Sequence, residues 1–380
     1  MGCFRSRVGL PLSTYFSGPK IKWLVETVDG LDSAMEKGAV MFGNMDAWLI
    51  WWLSGGPDGG LHVTDVSNGS RTMLMNIETL KWDTEMLAAM DIPEKILPEI
   101  HSSSEVYGYT TPEGVFGEKI PLAGILGDQQ AALFGQACFG VGDAKCTFGT
   151  GSFILMNTGP EKLLSRTGLL TTIAWQLPGQ SKPVYALEGG AFVCGAAVQW
   201  LRDGLKMIPR AADVETLAAT VPDSAGVEFV PALTGLGAPH WAPDARGTLT
   251  GLTRGTGRGH IARATLDAMA LQNADILRAM ESDLGKRMKP LRVDGGAAAN
   301  NLLMQIQADV LGRRLIRPQV IETTVAGACY LAGLGVGLWD SQAAVKKIWR
   351  AEREFSVQMS AAKRRKRLAS WSEAIGRTLL

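Results

Sequence analysis

Asp128 and Gln129 place a carboxylate beside an amide, between two apolar stretches of the chain. The stretch before them, Ile120–Leu126, predicts a buried strand, and the stretch after them, Ala131–Cys138, predicts a helix. The pair would then lie at the carboxyl end of a strand, where α/β sheets bind their ligands. A phosphoryl-transfer enzyme uses such a carboxylate to accept the proton of an attacking hydroxyl, together with a polar group that orients this hydroxyl. Capping of the helix by Asp128 explains the same pattern, and the spacing leaves both interpretations open.

Three glycine-centred turns form a second group of candidate residues: Thr147–Ser152, Glu188–Gly190 with Gly195, and Asp294–Gly296. Turns of this kind expose consecutive backbone N–H groups, and glycine lets a phosphate or ribose approach without a Cβ clash. The first turn adds the hydroxyl groups of Thr147, Thr150 and Ser152. The third turn opens a predicted helix, whose first N–H groups can bind an anion. Any one of these turns, taken alone, is more readily explained as a tight turn with nothing bound.

The sequence argues against several other kinds of site and partner. It contains no G-x-x-x-x-G-K-[ST] phosphate loop, no HExxH or Cys/His cluster for zinc, no G-x-G-x-x-G after a strand and no G-x-S-x-G elbow. A formal net charge of +1 argues against dedicated nucleic-acid binding. The longest apolar run, Trp48–Leu53, is far short of the ~20 residues that span a bilayer. Scattered cysteines without a CxxC pair predict free thiols in a reducing compartment, so we expect a cytoplasmic protein.

The elements that would position these residues alternate between strands and helices. At 380 residues the chain is too long for a single core, and we place a division into two domains near Gly135, giving residues 1–135 and 136–380. The pattern predicts a hairpin over Thr147–Thr158 and a strand over Leu291–Val293. It predicts helices over 16–31, Met41–Leu53, Gly189–Leu205, 260–284 closed by Gly285, and Asn301–Leu311 closed by Gly312. The fold class is therefore α/β with two domains.

Several longer strings carry a resemblance to a known family. The segments Tyr15–Trp23 and Gly247–Asp267 resemble the two signatures of the FGGY family of carbohydrate kinases in order and spacing. Other strings resemble the glycerol kinases within this family: GDQQAALFGQ (127–136), TFGTGSF (147–153), ALEGG (186–190), FVPALTGLGAPHW (229–241) and VDGGAAANN (293–301). The resemblance runs from about Val8 to about Trp371, nearly the whole chain, and so many strings in one order make it highly specific.

The resemblance implies an actin/Hsp70-like fold, in which two ribonuclease H-like α/β domains bind ATP and substrate in the cleft between them. It implies ATP-dependent phosphorylation of glycerol to sn-glycerol 3-phosphate, with glycerol and ATP as partners and Mg²⁺ bridging the ATP phosphates. Another polyol or a ketose is the alternative substrate within the family. The resemblance implies neither a nucleic-acid partner nor membrane insertion, and it is compatible with a homo-oligomer.

Matched residue by residue, the resemblance also implies roles. Asp128 resembles the general base that accepts the proton of a glycerol hydroxyl, and it would meet Mg²⁺ through a water molecule. Tyr15 and Gln129 resemble the residues that hydrogen-bond glycerol, and Phe153 resembles the apolar wall against the glycerol carbons. Five residues resemble those that contact the nucleotide: Thr150 at the phosphates, with Gly195, Gln199, Gly296 and Asn300.

The chain departs from the family pattern at its start. Family members open their first domain with a strand and a D-x-G-T turn that grips phosphates, and an Arg–Glu pair and a Trp of the glycerol pocket follow. Only Met1–Thr14 precede Tyr15 here, so the resemblance implies a first domain that is N-terminally incomplete. A truncated reading frame of a true kinase is the favoured explanation. The alternatives are a split enzyme completed by a separate N-terminal chain, and a catalytically inactive remnant that still binds nucleotide.

Overall fold

The computed structural model describes residues 2–380, with side chains from Phe4 onward. Within these residues the α-helices, labelled α1 to α14 in chain order, are Gly2–Val8, Ser17–Thr27, Leu31–Glu36, Met45–Leu53, Val66–Gly69, Thr84–Ala89, Asp128–Gly135, Gly195–Asp203, Asp213–Ala218, Arg258–Leu284, Asn301–Leu311, Thr323–Gly335, Gln342–Ile348 and Ala361–Thr378. The strands, labelled β1 to β15, are Val63–Asp65, Met75–Asn76, Lys81–Trp82, Glu99–His101, Gly108–Tyr109, Pro121–Leu122, Ala144–Phe148, Ser152–Gly159, Leu170–Trp175, Val184–Ala191, Glu228–Val230, Thr248–Thr250, Leu291–Asp294, Leu315–Pro318 and Ala351–Phe355. Short 3-10 helices lie at Gly56–Asp58, Glu94–Ile96 and Gly296–Ala299.

The centre of the molecule is a mixed seven-stranded sheet with the order β15-β14-β13-β7-β8-β10-β9. β13 pairs in parallel with β7 and β14, and the remaining neighbours are antiparallel. Alternate residues of β8 face opposite sides of the sheet. Ile154 and Met156 pack into the core that contains α10 and α11, whereas Leu155 packs with Phe134 of α7. Helices therefore cover both faces of the sheet, as the predicted α/β class requires.

The first third of the chain contains smaller sheets. Among the described residues up to 143, the strands pair only two at a time: β1 with β4, β2 with β3, and β5 with β6. The strand predicted over Ile120–Leu126 is wrong in extent, because only Pro121–Leu122 pairs, as β6. Beyond it the backbone is bonded to a loop: the Ile125 amide donates to the Ser103 carbonyl oxygen (3.1 Å). The apolar pattern of this segment reflects its burial and not a longer ladder.

The predicted helices are mostly confirmed, and their C-terminal glycines explain where they end. Gly285 after α10 and Gly312 after α11 adopt left-handed φ angles of 65° and 63°. The helix predicted over Gly189–Leu205 is wrong in its first part. β10 continues to Ala191, and α8 begins only at Gly195.

Gly189 and Gly190 lie in β10 and do not form the turn that the sequence predicted. Gly189 pairs with Ile154 of β8, and a Cβ atom at this position would overlap the side chain of Ile276 in α10. A Cβ atom at Gly190 would lie 3.2 Å from the Phe153 ring. These glycines are needed because a helix and an aromatic ring pack closely on the strand.

α7, which begins at Asp128, makes a backbone-to-backbone contact with α12. A Cβ atom at Gly327 of α12 would overlap the Ala131 carbonyl oxygen, and one at Gly135 of α7 would overlap the Thr323 carbonyl oxygen. Because neither helix has a side chain between them at this crossing, the position of α7 is fixed by the position of α12.

No helix among the described residues is both long and apolar enough to cross a membrane. The thiols of Cys138, Cys146 and Cys194 are free and buried, and the thiol of Cys329 is free and exposed. The remaining cysteine, Cys3, lies outside the described side chains.

Replacing Gly327 by alanine is expected to lower the free energy of unfolding by about 1–3 kcal/mol, because the added methyl group overlaps a backbone oxygen of α7. Gly376→Ala in α14 is the matched control, since no atom lies within 4 Å of a Cβ there. Alanine favours a helix interior by about 0.5–1 kcal/mol over glycine, so the control should gain stability. Urea unfolding followed by circular dichroism measures both variants. Equal stability of the two would contradict the close contact of α7 with α12.

Candidate active site

Asp128 is the first residue of α7, and its side chain is exposed to solvent. The N-cap position belongs to Gly127, whose amide donates to Ser67 Oγ (2.8 Å). Asp128 Oδ1 accepts a hydrogen bond from the Gln129 amide (2.7 Å), and Oδ2 accepts one from Gln129 Nε2 (3.2 Å). The capping interpretation of Asp128 is therefore wrong. The carboxylate is accessible to a ligand at the start of the helix, where the backbone N–H groups favour negative charge.

A buried lysine lies behind this pair of residues. Lys145 on β7 has no exposed surface. Its Nζ donates to Gln129 Oε1, to Thr147 Oγ1 (2.8 Å) and to the Phe153 carbonyl oxygen (3.4 Å). Burial lowers the pKa of Lys145, and nearby carboxylates oppose this shift. Lys145 is not among the predicted site residues; the signal that points to it is a single charged residue inside an almost fully buried strand.

A buried ion pair joins the N-terminal part of the chain to the sheet. Arg71, in the turn after α5, donates from Nη2 to Glu188 Oε1 on β10 (2.9 Å), and its Nη1 lies 2.7 Å from Oε2. The Arg71 guanidinium lies over the Phe16 ring, 5.6 Å from the ring centroid. Tyr15 contacts Phe16 edge to face, with centroids 5.3 Å apart. These contacts, which the sequence did not predict, fix the segment that carries Tyr15.

The four residues predicted to bind the acceptor substrate lie in one region. The ring of Tyr15 is largely exposed, but loss of solvation at its hydroxyl raises the pKa of Tyr15. The carboxylates of Glu188 and Asp128 raise it further, and Arg71 opposes them. Lys145 in turn contacts both Gln129 and Phe153. The structure thus links Asp128, Gln129 and Phe153 through the buried lysine, and the Tyr15 hydroxyl lies close enough to feel the charge of Asp128.

The turn between β7 and β8 contains the first group of predicted phosphate-binding residues. Two of its three hydroxyl groups are engaged within the protein. Thr147 Oγ1 accepts from Lys145 Nζ, and Ser152 Oγ donates to Asn273 Oδ1 (2.5 Å). Thr150 lies at the exposed tip of the turn. Of the three hydroxyl groups, that of Thr150 is placed to reach a ligand.

The N-terminus of α8 is bound to this turn. The amides of Gly195 and Ala196 donate to the carbonyl oxygens of Gly149 and Thr150, each at 3.0 Å. A Cβ atom at Gly195 would lie 2.6 Å from the Gly149 oxygen, so this approach requires glycine. The first amides of α8 therefore hold the turn in place and are not left for an anion.

A cavity of about 390 Å³ opens between the β7–β8 turn, α8, α10 and the start of α11. Its lining includes all five residues predicted to contact a nucleotide: Thr150, Gly195, Gln199, Gly296 and Asn300. Its apolar wall includes Val198, Val214, Leu266, Met269 and Leu303. Asn300 also caps α11, with Oδ1 accepting from the Leu303 amide (2.8 Å). The volume, and the apolar wall with a few polar groups, are typical of a small-molecule site.

The third predicted turn contributes both support and cavity surface. Asp294 is buried, and its Oδ2 accepts hydrogen bonds from Gln136 Nε2 and Thr323 Oγ1, each at 2.7 Å. It therefore links the C-terminal end of α7 to the start of α12. Gly296 is exposed in the cavity, and a Cβ atom there would meet no atom within 4 Å.

Arg71→Met is expected to lower the free energy of unfolding by about 3–5 kcal/mol, because it leaves the Glu188 carboxylate buried without its partner. Changing both residues to methionine should cost less than Arg71→Met alone, since no buried charge remains. Arg202→Met is the control: Arg202 pairs with the exposed Asp203, so its loss should leave the free energy of unfolding nearly unchanged. Urea unfolding measures all three variants. A double variant less stable than Arg71→Met would contradict this explanation, because the stability loss would then not come from the unpaired Glu188 carboxylate.

Comparisons with known proteins agree on one family. Residues 2–135 match the sequence model of the N-terminal domain of the FGGY family of carbohydrate kinases, and residues 144–336 match that of its C-terminal domain. A glycerol kinase of Bdellovibrio bacteriovorus is 55% identical over 372 residues, which are 98% of this chain and 74% of the relative. A glycerol kinase of Saccharopolyspora erythraea is 53% identical over 375 residues, 99% of this chain and 75% of the relative.

The fold comparison leads to the same group. The crystal structure of Plasmodium falciparum glycerol kinase with ADP superposes with a TM-score of 0.92 at 39% identity, over 99% of this chain and 74% of that one. The predicted family and the predicted two-domain fold are thereby confirmed. This chain belongs to the FGGY family of carbohydrate kinases and, within it, to the glycerol kinases.

Proposed function

We propose that this chain transfers the terminal phosphoryl group of ATP to glycerol, forming sn-glycerol 3-phosphate, with Asp128 as the general base. One observation carries the proposal: the β7–β8 hairpin binds Gln129, the neighbour of Asp128, through Lys145 and has the 390 Å³ cavity at its turn. A base and a nucleotide-sized cavity are thus held by one rigid element, as in-line transfer between two bound substrates requires. Membership of the glycerol kinases supports this assignment.

On the acceptor side, a glycerol oxygen attacks the terminal phosphorus, ADP departs, and the hydroxyl proton passes to the Asp128 carboxylate. An ionised carboxylate accepts hydrogen bonds and donates none, so Asp128 is suited to receive this proton. We assign the orientation of the glycerol hydroxyls to Tyr15 and Gln129. We assign contact with the glycerol carbons to the Phe153 ring, which lies on the strand that Lys145 contacts.

On the nucleotide side, the apolar wall of the cavity offers a surface for the adenine ring, and Gln199 and Asn300 offer polar contacts at its edge. Thr150, at the tip of the β7–β8 turn, would meet the phosphates. Gly296 leaves room for the nucleotide because it has no side chain. The ADP bound by the Plasmodium falciparum relative supports a nucleotide in this chain too.

The proposal also assigns Asp128 a part in holding Mg²⁺. Among the described residues there is no group of three or more His, Cys, Asp or Glu side chains that would hold a metal on its own. Mg²⁺ commonly keeps several waters and binds one or two carboxylates together with substrate phosphates. The single exposed carboxylate of Asp128 fits such a site through a water molecule. When bound, the ion neutralises charge on the phosphates.

Two further assignments go with this function. We propose that the domains divide near Gly135, at the end of α7. We also propose that the protein works in the cytoplasm, where the free thiols of Cys138, Cys146 and Cys194 stay reduced. The competing function is a protein that binds nucleotide without transferring phosphate, and the competing substrates are other polyols and ketoses.

Asp128→Asn is expected to lower turnover by about 10²–10⁴-fold, because the amide cannot accept the hydroxyl proton. Its affinity for ADP should change little, since the cavity is untouched. The measurement is ATP- and glycerol-dependent formation of glycerol 3-phosphate, with ADP binding followed by calorimetry. Asp91→Asn is the matched control, because Asp91 is an exposed aspartate that pairs with Lys22 away from the site.

Three results would count against the proposal. If the Asp128→Asn variant is as active as the Asp91→Asn variant, Asp128 is not the general base. If another polyol or a ketose is turned over faster than glycerol, that compound and not glycerol is the substrate. ADP binding without any ATP-dependent product from the unaltered chain would favour a nucleotide-binding protein.

A further inference from the structure

Lys145 is a charged side chain that the proposed mechanism leaves unexplained. It lies in the middle of the central sheet with no exposed surface. Burial of an ammonium group costs several kcal/mol unless its charge or its N–H groups are matched. The three acceptors of Nζ are an amide oxygen, a hydroxyl and a backbone carbonyl, and none of them is charged. A simple buried ion pair therefore does not account for this lysine.

The hydrogen-bond partners of Lys145 match its protonated form, although burial lowers its pKa. Gln129 Oε1 and the Phe153 carbonyl oxygen only accept hydrogen bonds, and Thr147 Oγ1 completes a set of three acceptors for the three N–H groups of an ammonium. A neutral amine has only two N–H groups, so it would need the Thr147 hydroxyl to donate to its lone pair.

Three carboxylates around the lysine also favour the ammonium. Asp294 on β13, Glu188 on β10 and Asp128 on α7 oppose the lowering of the Lys145 pKa by burial, whereas the neighbouring Cys146 on β7 would do so only as a thiolate. The Cys146 thiol is itself buried, which raises its pKa well above the ordinary value and keeps it neutral.

The ammonium determines which way the Gln129 amide points. Because Lys145 only donates hydrogen bonds, the amide oxygen must face it, and the amide nitrogen must then face Asp128. Gln129 Nε2 indeed donates to Asp128 Oδ2 (3.2 Å), while the Gln129 backbone amide donates to Oδ1 (2.7 Å). With the amide reversed, its oxygen would face the carboxylate and repel it. The orientation of the Asp128 carboxylate thus depends on a donor two hydrogen bonds away.

We propose that Lys145 is a positioning residue of the kinase reaction, which acts through Gln129 to hold the Asp128 carboxylate in the orientation that accepts the substrate proton. This inference rests on the proposed function of Asp128. It gives the buried lysine a role in turnover and separates it from nucleotide binding, because Lys145 does not line the cavity.

The test compares Lys145→Met, Gln129→Met and the double variant at saturating glycerol and ATP. Methionine matches glutamine in length and is one atom shorter than lysine, and it removes the hydrogen bonds. Each single change should lower kcat by about 10- to 100-fold, the effect of losing a hydrogen bond to a charged group. The double variant should lose no more than the worse single one, because both changes break the same chain of contacts. KM for ATP should stay unchanged in all three.

The split between kcat and KM gives a readout that a purely structural role would not show. A disturbed fold would weaken ATP binding together with turnover, whereas loss of the hydrogen bond from Lys145 to Gln129 should lower kcat and leave KM for ATP unchanged. Gln129→Met changes only a half-buried side chain at the site, so the same split can be measured if Lys145→Met does not fold.

The possible results separate this inference from the proposed function. If Asp128→Asn retains full turnover, the proposed function fails. If Asp128→Asn is slow but Lys145→Met keeps the kcat of the unaltered chain, Lys145 is not a positioning residue. Additive losses in the double variant, or a KM for ATP that rises in Lys145→Met together with the loss of kcat, would also overturn the inference.

Discussion

The buried ammonium of Lys145 needs three hydrogen-bond acceptors, and the candidate site is arranged around this requirement. Two acceptors, Thr147 and Phe153, lie on the β7–β8 hairpin, and the third is Gln129 on α7. A hydrogen-bonded charge inside a sheet fixes its partners, because any displacement leaves a buried N–H group unpaired. The start of α7 is thereby tied to the hairpin whose turn lines the cavity. The distance between the proposed base and the proposed nucleotide site follows from this link.

Close backbone packing at glycine residues also holds these elements in place. Gly135 and Gly327 let α7 and α12 touch, and Gly195 lets the start of α8 approach the β7–β8 turn. The buried carboxylate of Asp294 then joins α7 to α12 through side-chain hydrogen bonds at both ends. None of these residues is assigned a chemical step. They hold the elements that carry Asp128 and Thr150, which is why a substitution far from any ligand can disturb the geometry of the reaction.

Local patterns predicted much of this structure, and contacts between distant residues account for what they missed. Helix periodicity and terminal glycines located α10 and α11, and the family strings identified five residues that line one cavity. The strand predicted over Ile120–Leu126 was too long, because an extended segment buried against loops has the same apolar pattern as a paired strand. The sequence predicts a turn at Gly189, but glycine is required there because a Cβ atom would overlap Ile276 of α10. Lys145 could not be related to Gln129, because spacing along the chain carries no information about which side chains meet across a sheet.

The proposed function requires the β7–β8 hairpin to hold Asp128 in place through Lys145 and Gln129, and to contact the nucleotide at its turn. A crystal structure of the chain with ADP, Mg²⁺ and glycerol tests it most directly. We expect ADP in the cavity lined by Gln199 and Gly296, with its phosphates at Thr150. We also expect a glycerol hydroxyl within about 3 Å of an Asp128 carboxylate oxygen. ADP bound outside this cavity, or glycerol bound away from Asp128, would contradict it.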